Sequence, residues 1–163
     1  MDIKALLQKQ KEFDNLVLKN AGIDEYPLEK VKLALLVELG ELANEWMGFK
    51  YWKKHKEVNR KKLLDEFADC LHFALSLENH LHQIEEEIME EMQSDLEATY
   101  EEQWNMTSLS HKLLLMYRFA LDSEDVLLSV IFLGLCLEIS LDEMEMAYLK
   151  KHEVNYKRQE QGY

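Results

Sequence analysis

Apolar side chains recur at helical spacing along most of the chain. Ile3, Leu6, Leu7, Phe13 and Val17, with Gln10 and Asp14 on the same spacing, form one stripe, and Asn20-Ala21-Gly22 supplies its stop. Pro27 suits the first turn of a second helix, expected to run through Glu45 and end near Gly48. Residues 49–58 (FKYWKKHKEV) lose the period and read as an aromatic, basic loop. Asn59 is placed to cap a third helix carrying Leu63, Leu64, Phe67, Ala68, Leu71, Phe73, Ala74 and Leu77. Residues 78–102 hold ten acidic residues and no Lys or Arg, the pattern of a solvated acidic arm or loop. Beyond it, Thr107 or Ser108 opens a helix through Ala120, and Asp122 or Ser123 opens an apolar one through Leu137. Ser140 with Glu143 makes a capping box for a last helix reaching about Arg158. The expectation is an all-α fold of six or seven helices. No repeat or linker divides it, so residues 1–163 form a single domain with the acidic arm inside it.

Composition agrees with that reading. Only five glycines and one proline occur in 163 residues, too few turn formers for a strand-rich fold. With 47% hydrophobic residues the chain has material for a real core. No stretch approaches about 18 uninterrupted apolar residues, so no membrane span is expected. The charged N-terminus MDIKALLQKQKEF lacks a signal-type apolar segment. Cys70 and Cys136 make no CxxC or Cys/His pair and read as buried free thiols of a reducing, cytoplasmic compartment. The net charge of −13 disfavours bulk nucleic-acid binding. An anionic ligand would need a local cluster of positive charge or a bound cation.

Two acidic pairs supply the candidate chemistry. Glu38 with Glu41, and Glu66 with Asp69, are each spaced i, i+3, which puts two carboxylates on one helical face. Such pairs are common in an acidic chain; Asp122/Asp125 and Asp142/Glu145 are others. The first two differ in their neighbours. Leu35, Val37 and Leu42 crowd one, and Leu63, Phe67, Cys70 and Phe73 the other. A carboxylate pushed toward a core costs several kcal/mol, on the order of a buried ion, unless it is paired or coordinates a metal. A hard divalent cation such as Mg²⁺, which wants oxygen ligands, resolves that cost. The alternative is that both pairs are solvated on helix edges beside Lys32, Arg60 and Lys62. Glu45 extends the first face as a third ligand or a surface acid, and His72 follows Asp69 by one turn.

Next to these acids, residues 50–62 hold seven Lys/Arg against the single acid Glu57. Aromatic rings there suit stacking on a base, and lysines suit phosphates, although a basic solubilising loop has the same composition. Lys150, Lys151, Lys157 and Arg158 form a second basic tract, ordinary in itself at a helix C-terminus.

Taken together, Glu38-Leu-Gly-Glu41, the FKYWK loop, Asp65-Glu66-Phe-Ala-Asp69-Cys-Leu-His72-Phe and the terminal Asn155-Tyr-Lys-Arg158-Gln-Glu-Gln-Gly162-Tyr163 resemble the all-α dimeric dUTPases of the MazG-like nucleotide pyrophosphatase superfamily. The resemblance covers most of the chain and departs from the commoner pattern in its tryptophan-poorer loop and shortened middle segment. It implies a MazG-like helical bundle around a four-helix metal-binding core. It implies Glu38, Glu41, Glu66 and Asp69 as Mg²⁺ ligands, with Glu41 or Glu38 also orienting the attacking water. It implies uracil contacts at Gln10 and Trp52, phosphate contacts at Lys53, Arg158 and Tyr163, and a deoxyribose or base contact at Asn155. The implied reaction is hydrolysis of dUTP, and of dUDP, to dUMP by a homodimer, which limits uracil incorporation into DNA. Two other readings stand beside it: a dCTP-directed or broad nucleoside triphosphate pyrophosphatase with the same metal core, and a non-enzymatic helical partner-binding protein.

Overall fold

The computed structural model describes residues 1–81, 108–122 and 125–162. Among them six helices occur and no strand: α1 (Ile3–Ala21), α2 (Leu28–Trp46), α3 (Arg60–Leu81), α4 (Leu109–Asp122), α5 (Val126–Cys136) and α6 (Leu141–Glu160).

The helix ends follow from local chemistry. Asp2 caps α1 by accepting from the Ala5 amide, and Gly22, at φ 65°, closes it by donating to the Leu18 and Lys19 carbonyls. Asn59 accepts from the Lys62 amide at the start of α3. Ser140 and Glu143 form the expected capping box of α6. Helix α2 runs to Trp46 and so ends near Gly48 as expected, with Met47 rather than the glycine left-handed at φ 58°. Gly48 has another use, because a Cβ there would fall 1.9 Å from the Trp46 ring. Helix α5 is preceded by Asp125 at φ 42° with no side-chain cap, while Asp122 ends α4 rather than starting α5. Residues 107 and 123, the other candidate starts, lie outside the described residues.

Helix α3 is the axis of the molecule. It packs against α1, α2, α5 and α6, so its apolar residues are buried on several sides, Phe67, Leu71 and Leu77 completely. Helix α4 lies against α2 and α5. The uniformly apolar α5 fits in because Gly134 admits the Phe67 ring and the Met144 methyl, which a Cβ would meet at 2.6 and 2.5 Å. No described helix is long and apolar enough to cross a membrane.

The acidic stretch does not begin as a solvated arm. Residues 78–81 complete α3, and Glu78 is buried. Its remainder, 82–102, lies outside the described residues. Both cysteines are free, but only Cys70 is fully buried; Cys136 is half-buried and accepts a contact from Lys112 Nζ at 3.2 Å.

Candidate active site

The packing of α2 on α3 brings Glu38 to Glu66 and Asp69. One carboxylate oxygen of each lies within 4.8 Å of the others, with all three half-buried. The sequence supplies this geometry through two features. The i, i+3 spacing stacks Glu66 and Asp69 on one face of α3, and Leu35, Leu39 and Leu42, all fully buried, fix the face that α2 turns inward.

The cluster is electrostatically strained. Burial, then the charges of Asp69, Glu41 and Glu66, push the Glu38 carboxyl up to about 7. Burial and the neighbouring Glu41 and Asp69 raise Glu66 as well. Burial also raises Asp69, in spite of a hydrogen bond from Lys151. An all-oxygen donor set that resists holding its own charge fits a hard divalent cation.

Of the four expected ligands, three converge. Glu41, one turn beyond Glu38, is exposed and stands outside the group, although its charge is felt by both glutamates. Glu45, the suggested extra ligand, pairs instead with Lys62 at 3.9 Å.

Asp69 also belongs to the wall of a second feature, a pocket of about 160 Å³ between α1, α3 and the end of α6. Its polar walls are Gln10, Asp14, Tyr26, Asp69, His72, Ser76 and Asn155, and Phe13, Val31 and Phe73 are among its apolar ones. A cavity of about 150 Å³ holds a six-membered ring such as benzene. The volume therefore suits a single-ring base better than a purine.

A hydrogen-bonded chain runs through this wall. His72 Nδ1 lies 2.7 Å from Gln10 Oε1, Tyr148 OH donates to the same oxygen at 3.1 Å, and Gln10 Nε2 donates to Asp14 Oδ1 at 2.7 Å. Tyr26 OH and Ser76 Oγ are 2.7 Å apart. Burial raises Asp14 to about 6 against hydrogen bonds from Ser76 and Gln10. Burial, with the charge of nearby His152, lowers His72 to about 3, so its ring is neutral.

Among the sequence-derived substrate contacts, Gln10 and Asn155 meet at this pocket. Arg158 is exposed beside it and donates to Asn155 Oδ1 at 3.4 Å. Trp52 and Lys53 do not line the pocket. They lie exposed in the loop between α2 and α3, where Trp52 packs edge-on to Phe49 and Tyr51, and Lys53 Nζ is 4.0 Å from Met47 Sδ. Two other loop lysines are occupied structurally, Lys50 donating to the Asn44 carbonyl and Lys56 to that of Gly48. Tyr163 lies outside the described residues.

Sequence reasoning passed over Lys151, whose Nζ sits 2.6 Å from Asp69 and 3.1 Å from Asp65. A signal existed: residues 151, 155 and 158 are spaced 4 and 3, hence on one face of α6 with Asn155 and Arg158. Asp14 was likewise passed over, although it follows Gln10 by one turn on an otherwise apolar stripe.

An all-α fold that gathers carboxylates from two helices beside a ring-sized polar pocket has the makings of a nucleotide hydrolase. The comparison with known families makes this particular. The model of the family described as dUTPase matches residues 2–163, and the chain belongs to that family; it is a nucleotide diphosphatase acting on dUTP. No curated protein matches the chain.

Proposed function

We propose that the protein is a Mg²⁺-dependent dUTP diphosphatase that releases dUMP and pyrophosphate, also accepts dUDP, and so limits uracil incorporation into DNA. The observation that carries this is the double membership of Asp69. It is part of the carboxylate cluster and part of the wall of the ring-sized pocket. A nucleotide with its base in the pocket would therefore have its phosphates near the carboxylates.

Glu38, Glu66 and Asp69 would hold the cation, and Glu41, exposed at the rim, would complete the set or take the proton of the attacking water. When bound, Mg²⁺ supplies neutralisation of the phosphate charge and activation of the nucleophile. The chain's own residues do the rest. Gln10 and Asn155 bind the base and deoxyribose, and the small pocket excludes a 5-methyl group by its walls. Lys53, Arg158 and Tyr163 would meet phosphates, and Trp52, exposed in the α2–α3 loop and not in the pocket wall, would reach the base only if that loop moved toward it. Lys151 holds Asp69 in place from α6.

The working form is a cytoplasmic homodimer of this single domain. Helices α2 and α4, which pack together, leave Leu33, Val37, Leu114 and Leu121 exposed, an apolar surface suited to a second copy. Pyrophosphate release measured across the four deoxynucleoside triphosphates and dUTP, with and without Mg²⁺, tests the reading. The expected result is turnover of dUTP alone, abolished by chelation. Efficient dCTP turnover with weak dUTP turnover would replace it with a dCTP-directed enzyme.

A further inference from the structure

The Gln10 side chain is buried, and its amide is held at both ends. An amide has one carbonyl oxygen with two lone pairs and two N–H donors. The neighbours decide which end faces which way. Asp14 Oδ1, 2.7 Å from one end, belongs to a carboxylate, which accepts hydrogen bonds; the end facing it is therefore the NH₂. The Ser76 hydroxyl beside Asp14 favours its charged form, which is the accepting one.

The other end of the amide is then the carbonyl, and it receives Tyr148 OH and His72 Nδ1–H. Both lone pairs of Oε1 are used. The proton on Nδ1 leaves His72 Nε2 as a bare acceptor, and this atom is indeed buried with no partner among the described residues. An unpaired buried acceptor is tolerated better than an unpaired buried N–H, so the opposite tautomer would be the worse arrangement. Gln10 is left with one N–H to spend.

We propose that Asp14 is a positioning residue that locks the Gln10 amide with its N–H available to the pocket, so that the site accepts a pyrimidine with a carbonyl at C4 and rejects one with an amino group there. This rests on the reading that the pocket takes the base. A C4 carbonyl accepts from that N–H. A C4 amine meets it donor to donor and leaves two buried polar groups unpaired, the situation that gives hydrogen-bonding sites their strongest discrimination. Tyr148 and His72 hold the far end, and Asp14 breaks the tie because only a carboxylate forbids the flipped amide.

The test is the ratio of kcat/KM for dUTP over dCTP in the wild-type protein and in Asp14→Asn, whose amide accommodates either orientation of Gln10. The ratio is expected to fall about tenfold or more, through a higher KM for dUTP and a lower one for dCTP. Tyr148→Phe, which removes one donor to Oε1, moves it less and in the same direction. The ¹⁵N chemical shifts of His72 give a readout independent of turnover: Nδ1–H in the wild type, a mixture of tautomers in Asp14→Asn. An unchanged ratio in the folded variants, or an Nε2–H tautomer in the wild type, overturns the proposal while leaving the diphosphatase reading intact. A wild-type protein that hydrolyses no deoxynucleotide sinks the diphosphatase reading, and the tautomer then decides the amide orientation alone.

Discussion

Lys151 Nζ lies 2.6 Å from Asp69 Oδ2, so an internal cation from α6 rests against a carboxylate of the cluster on α3. Both side chains are shielded, 13% and 18% exposed, so the contact is not a loosely solvated pair. Lys151 neutralises part of the cluster's charge and ties α6, with Asn155 and Arg158, to the cluster on α3.

Removing that cation while keeping the stem's bulk, as in Lys151→Met, is expected to cost about 1–3 kcal/mol of stability in metal-free protein. Added Mg²⁺ would then raise the melting temperature more in the variant than in the wild type, because the ion supplies the lost compensation. Thermal melts at several Mg²⁺ concentrations check this. Equal shifts in the two proteins would mean that Lys151 and the cation do not share Asp69.

The close approach of α5 to α3 makes a separate, purely structural prediction. In Gly134→Ala the new methyl would press on the Phe67 ring carbons at 2.6 Å and on the Met144 methyl at 2.5 Å, so those side chains must shift. Overpacking of this kind costs about 1–3 kcal/mol, measurable by urea denaturation. Unchanged stability would show that the core between α3, α5 and α6 is looser than described.

Asp14 and His72 give stability opposite pH dependences. The Asp14 carboxyl is raised by burial from 3.8 to about 6, so between those values the folded state keeps a proton that the unfolded chain has lost, and stability falls as pH rises. His72 is lowered by burial from 6.5 to about 3, so the unfolded chain carries a proton that the folded state lacks, and stability rises with pH over that window. Between about pH 4 and 6 the two slopes oppose each other. In Asp14→Asn the Asp14 contribution is lost while every other one, that of the raised Glu38 among them, is kept, so the slope of stability against pH should be more positive than in the wild type by up to about 1.4 kcal/mol per pH unit. Urea melts across pH 4–7 measure it; parallel profiles would contradict the assignment.

Much of this architecture was legible because it rests on local rules. The capping box at Ser140, the Asn59 cap and the αL Gly22 are each set within four residues, and all occur as expected. Glu66 and Asp69 share a face by spacing alone. What stayed hidden depends on how helices meet. Glu41 has the same sequence credentials as Glu38, yet only the packing angle of α2 on α3 decides which of them points inward. Lys151 and Asp14 sit 82 and 55 residues from Asp69; spacing puts them on the faces of Asn155 and Gln10, but only the packing of α1 and α6 on α3 brings those faces to Asp69. The end of α2 near Gly48 was legible too; that Met47 takes the left-handed cap while Gly48 clears the Trp46 ring was not.

Glu38, Glu66 and Asp69 would together hold the divalent cation on which hydrolysis of dUTP by water depends. The most direct measurement is Mg²⁺-dependent pyrophosphate release from dUTP by Glu38→Gln, with thermal stability followed in the same samples. A loss of at least about 100-fold in kcat/KM is expected. The metal-free variant should melt at or above the wild-type temperature, since a strained charge has been removed from the cluster. A folded Glu38→Gln protein that keeps full Mg²⁺-dependent turnover would show that the cluster does not hold the working cation.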